Sequence, residues 1–70
     1  MQGAIADLNQ SLKLNPSYAI AYYNRGLARN KLSDKQSALA DFQQAAVLAQ
    51  KQGNGNLAQK IQKEIKKIQQ

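Results

Sequence analysis

The side chains able to do chemistry are few, and none is placed to do it. The acids are Asp7, Asp34, Asp41 and Glu64, and histidine and cysteine are absent. That removes the usual general base, the thiol nucleophile and any Cys- or His-ligated zinc. Tyr, Lys and Ser side chains remain as conceivable nucleophiles, but none has a candidate base in the sequence. There is no phosphate loop, no dinucleotide fingerprint and no metal-ligand spacing. The residues therefore point away from an enzyme, with no catalytic residue, no cofactor and no metal expected.

What the polar residues can do is pair, cap and bind. Arg25 and Arg29 stand four apart, on one face of any helix that contains them. They are expected to form a charge-paired surface with Asp7 or Asp41, the alternative being that they point at an absent helix. Asp34 suits a helix N-cap, where a carboxylate meets orphan N–H groups and a positive helix end. Lys60, Lys63, Lys66 and Lys67 crowd one short segment, with no aromatic between them. They read as a solvated face, and no specific nucleic acid is expected as partner. Tyr18, Tyr22 and Tyr23 form the one aromatic cluster.

Helices must position these groups. Ile5, Leu8 and Leu12 recur at helical spacing, so residues 1–14 read as a first helix. Asn15-Pro16-Ser17 breaks it. Asn15 is expected to cap a second helix starting at Pro16 or Ser17 and ending at Leu32. Ser33-Asp34 is the next break, followed by a third helix over residues 35–52. Gly53-Asn54-Gly55-Asn56 ends that helix, with Gly53 suited to a left-handed C′ position. Asn56 is expected to cap a last helix over residues 57–69, where Leu57, Ile61, Ile65 and Ile68 make one apolar stripe.

Residues 18–50 hold the packing pattern. Gly26, Ala28, Ala38 and Ala45 are small; Tyr22, Leu27, Leu39 and Phe42 are large. Small against large describes a seam between two helices of a hairpin. Gly26 costs about 1 kcal/mol of helix propensity against Ala, and close approach of a neighbouring helix is the expected compensation. Sliding the chain against itself by about 34 residues brings out a copy. Gln2 falls on Gln36, Ala4 on Ala38, Ala6 on Ala40, Asp7 on Asp41, Leu8 on Phe42, Gln10 on Gln44 and Leu14 on Leu48. The first helix thus repeats the third, and Asp7 and Asp41 lie about one repeat apart, too far to act as a carboxylate pair.

Tyr22, Gly26, Ala38, Phe42 and Ala45 resemble the signature of the tetratricopeptide repeat (TPR) family, and Ala4, Leu8 and Pro16 resemble the second half of a preceding repeat. The resemblance implies an all-α fold: four helices in antiparallel α-α hairpins, a fragment of a right-handed superhelix with about one and a half repeats and a cap. Residues 1–15 would be the second helix of a preceding repeat, 16–52 a full repeat and 56–70 a capping helix, within one domain over 1–70. The family's pattern departs at Arg25, Arg29, Ser33 and Gln50, where it usually has Leu, an aromatic, a turn Gly and Pro. No helix precedes residue 1 to pair with the first, so another chain or a longer parent would have to cover that side.

In this family the first helix of each repeat lines a concave groove that takes extended peptides or a partner helix. The resemblance places Ile20, Tyr23, Asn24, Leu27, Asn30 and Lys31 on that groove. Asn24 matches an Asn that holds peptide backbone in chaperone-tail-binding members, but the rest of their carboxylate clamp is not present. The implied function is a protein–protein interaction module or scaffold with a protein or peptide partner. A self-associating unit forming a homodimer, with or without swapped helices, is the alternative. A basic nucleic-acid-binding module stands behind both.

Size and charge agree with a binding module. With 70 residues the chain makes one small domain. Its net charge of +6 favours acidic partners in general. No apolar run approaches the roughly 20 residues of a membrane helix, so no membrane insertion is expected. The first residues lack a basic n-region and an apolar run, which gives a cytoplasmic expectation.

Overall fold

The computed structural model describes residues 2–69. Helix α1 spans Gln2–Leu14, α2 Ala19–Lys31, α3 Lys35–Lys51 and α4 Gly55–Gln69, with no strand among the described residues. The links are short, so successive helices lie antiparallel and pack as neighbours. The architecture is the expected all-α helical hairpin repeat. No helix among the described residues is long and apolar enough to cross a membrane.

The core lies between α2, α3 and α4. Ala38, Phe42, Ala45, Ala49 and Ile61 are fully covered, with Ala19, Leu48 and Leu57 beside them. Small residues on α3 let the backbones approach while Phe42 and Ile61 fill the space that remains. Gly26 is a point of close approach. A β-carbon there would meet Phe42 Cε1 at 2.7 Å and Cδ1 at 2.9 Å. The glycine inferred from sequence to permit close packing does so against this ring. Gly26→Ala therefore sets about 1 kcal/mol of gained helix propensity against an overpacking cost of about 1–3 kcal/mol. A net loss of up to roughly 2 kcal/mol is expected, measured as a lower urea midpoint. A raised midpoint would show that the ring can move aside.

Two turns share one design. After α2, Ser33 N–H donates to Asn30 O at 3.0 Å and Asp34 N–H to Arg29 O at 2.9 Å. After α3, Gly53 N–H donates to Gln50 O at 3.1 Å and Asn54 N–H to Ala49 O at 2.8 Å. Both are Schellman closures, with the C′ residue left-handed: φ is +68° at Ser33 and +70° at Gly53. The next residue then starts the following helix. Asp34 Oδ1 accepts from Ser37 N–H at 3.4 Å, and Asn54 Oδ1 from Leu57 N–H at 3.2 Å. The Asp34 cap is as expected from sequence. The α4 cap is Asn54, not Asn56, because a capping side chain must reach an N–H three residues on, and Asn56 already lies inside the helix.

Ser33 occupies a backbone region that costs a non-glycine residue about 1–2 kcal/mol. The turn Gly missing from the sequence is therefore missing where it would help, yet the turn forms. Ser33→Gly is expected to stabilise the chain by about 1 kcal/mol, raising the urea midpoint at unchanged slope.

The first link departs from the sequence reading. Helix α2 begins at Ala19, not at Pro16 or Ser17, and its N-cap is Tyr18, which makes no side-chain cap bond. Asn15 instead closes a turn: its carbonyl accepts from Tyr18 N–H at 3.2 Å and its Oδ1 from Ser17 N–H at 3.3 Å. Pro16 then sits at the second position of that turn, which its fixed φ also suits. A further bond, from Gln52 Nε2 to Ser17 O at 2.7 Å, ties this turn to the end of α3.

Candidate binding groove

The groove builds from two helix faces. From α2 come Asn24, Leu27, Ala28 and Lys31, which the helical repeat brings to one side. From α1 come Ala4, Asp7 and Leu8. Together they line an open groove of about 430 Å³. Its floor is apolar, from the alanines and leucines; Asp7 and Lys31 put opposite charges on its rim. Such a surface can hold an apolar side chain and orient it by polar contacts at the edge.

Three of the six residues expected to bind, Asn24, Leu27 and Lys31, line this groove. Asn24 and Lys31 are exposed and Leu27 is half-buried. Ile20, Tyr23 and Asn30 are half-buried and lie outside its lining. Ile20 and Tyr23 pack against the core cluster. The Tyr23 ring stands 6.0 Å from that of Phe42, tilted by 52°. Tyr23 thus belongs partly to the packing, and replacing it would disturb the fold as well as any partner. The α1 residues were missed by the sequence reading. The signal for them was there: Ala4, Asp7 and Leu8 are copies of Ala38, Asp41 and Phe42.

Behind the groove, a charged cluster joins α1, α2 and α3. The Asp41 carboxylate is 3 % exposed and faces both arginines. Arg25 grips it with both ends, Nη2 to Oδ1 at 2.7 Å and Nε to Oδ2 at 3.0 Å. Arg29 Nη1 reaches Oδ2 at 3.0 Å. Arg25 Nη1 also donates to Asn9 Oδ1 on α1 at 2.7 Å. Its guanidinium lies 5.3 Å from the Tyr22 ring centre, within cation–π range. The hydrogen bonds to Asp41 hold the Arg25 guanidinium above its ordinary pKa, against the opposing effect of burial. Of the two acids the sequence offered as partners, Asp41 is the one used. The departures at Arg25 and Arg29 from the family's apolar pattern are therefore matched to a buried acid.

A family model described as TPR repeat matches residues 1–33. Over this stretch the chain is similar to the tetratricopeptide repeat family. The TPR match covers α1, the Asn15–Tyr18 turn and α2. Every residue lining the groove lies within it. Neither a curated protein nor a solved structure matches the chain significantly. TPR repeats generally mediate protein–protein interaction.

Proposed function

We infer that the chain is a non-catalytic interaction module that holds a peptide or helix of a protein partner on the exposed side of α1 and α2. The carrying observation is the open groove, which takes its lining entirely from the TPR-matched segment. Supporting it, the one buried acid among the described residues, Asp41, is engaged by two arginines. The reading places binding at Asn24, Leu27 and Lys31, with Ile20, Tyr23 and Asn30 supporting the face from behind. A cytoplasmic setting belongs to the same reading.

The test is a panel of peptides titrated against isotope-labelled chain. Saturable shifts of the Asn24, Leu27 and Lys31 amides are expected, weakened by Leu27→Ala. Shifts confined to the lysine face of α4, driven by an oligonucleotide at low salt, would replace this reading by nucleic-acid binding.

A further inference from the structure

We propose that Asn54 is a site of spontaneous modification: it loses its side-chain amide through a cyclic imide formed with Gly55, and the two products have opposite effects on α4. The site lies at the α3–α4 corner, outside the groove lining. Asparagine is a thermolabile residue type, but the reaction also needs the next main-chain nitrogen to be free to attack. The chain has six asparagines. Asn9, Asn24 and Asn30 lie within helices, where the following N–H is held by the carbonyl four residues back. Asn15 precedes Pro16, which has no N–H. Asn56 precedes Leu57, whose N–H is given to Asn54 Oδ1 at 3.2 Å. Asn54 precedes Gly55, the first residue of α4, where N–H groups lack an intrahelical acceptor. No other acceptor meets that N–H among the described residues. Residues 52–56 are all exposed, and even an added β-carbon at Gly55 would meet nothing within 4 Å. The other amide–glycine pair, Gln52-Gly53, is closed. Gln52 Nε2 is tied to Ser17 O at 2.7 Å, and Gly53 N–H donates to Gln50 O at 3.1 Å.

Water is the only co-reactant. The Gly55 nitrogen gives its proton to solvent and bonds to Asn54 Cγ. The Cγ–Nδ2 bond breaks, and ammonia leaves with a proton taken back from solvent. Ring closure waits for the cap bond to Leu57 to open, and helix ends fray, so conversion is slow. Water then opens the imide at one of its two carbonyls. Opening at Cγ gives aspartate, with the main chain as before. That product keeps an acceptor for Leu57 N–H and adds a negative charge at the positive end of α4. Opening at the main-chain carbonyl gives isoaspartate, whose main chain runs through the side chain and is one carbon longer. Residue 54 closes α3 through its N–H to Ala49 O at 2.8 Å and opens α4 through its carbonyl, which accepts from Ala58 N–H at 3.0 Å. The longer chain cannot keep both, and α4 loses the register that buries Leu57 and Ile61.

The test holds the intact chain in warm neutral buffer and follows it by mass spectrometry with peptide mapping. Asn54 is expected to exchange its amide nitrogen for oxygen, one mass unit heavier, ahead of the other five asparagines. Gly55→Ala fits the open corner and should cut conversion at Asn54 to the level of the others. The aspartate form, made directly as Asn54→Asp, should match or exceed the parent's urea midpoint. The isoaspartate form, separated by chromatography, should show a lower midpoint and faster amide exchange along α4. An Asn54 that stays intact, conversion led by another asparagine, or conversion unaffected by Gly55→Ala would overturn the proposal. So would an isoaspartate form whose α4 amides are as protected as the parent's.

Discussion

Phe42→Ala is expected to leave most of the chain unfolded at room temperature. The ring is fully buried, with Gly26 against one edge and Tyr23 beside it. Removing a buried Phe typically costs about 3–5 kcal/mol, the lost transfer energy plus the cavity. A single core below about 70–80 residues rarely supplies more than about 3–5 kcal/mol in all. The two figures are comparable, so little stability should remain. Circular dichroism in a urea series would show helix signal already falling without denaturant. A full native baseline with less than about 1 kcal/mol lost would show the core to lie elsewhere. Phe42→Leu is milder, about 1–1.5 kcal/mol by volume, and places on α3 what α1 already has at Leu8. In that background Gly26→Ala should lose most of its cost, because the clash is with the ring edge. That coupling, read from a double-mutant cycle, isolates the contact from general helix effects.

Asp41→Asn is the second large effect. The change keeps the shape and removes the charge, so two guanidinium groups lose their counter-ion. Their side chains are 17 % and 26 % exposed. They can turn partly toward water, which lowers the cost below that of a fully buried orphan charge. About 2–3 kcal/mol is expected, against about 3–5 kcal/mol for breaking a wholly buried pair. The loss should persist in high salt, because an enclosed pair is screened little. A loss that vanishes in salt would class the cluster with ordinary surface pairs. The pH dependence from the arginine side follows from its sign. Arg25 is held above its ordinary value, so its contribution is complete at neutral pH and fades only as pH rises through the folded value.

The sequence made the helices legible because apolar spacing, one proline and paired Gly-Asn punctuation all agree with them. The Gly26–Phe42 contact was legible too, since a glycine inside a helix demands a reason. The caps were less so. Asn54 and Asn56 are chemically equal, and only the closure of the preceding helix decides which one is free to cap. Asn15 and Pro16 fit a helix start and a turn equally well; the tie to Gln52 settles them as a turn, and that bond joins residues far apart in the chain. The binding face was half legible. Residues of α2 could be placed by resemblance, whereas the α1 wall required seeing that a repeated face can be buried in one copy and bare in the other. Arg25 and Arg29 looked like faults in the pattern until their common acid was found to be buried.

The residues that end one helix and open the next, Asp34 and Asn54, leave these two corners with no slack. Adding a single residue at either would separate the closure of one helix from the cap of the next, which one residue now supplies together. An added residue should be tolerated best at the Asn15–Tyr18 corner, where no residue serves two helices at once.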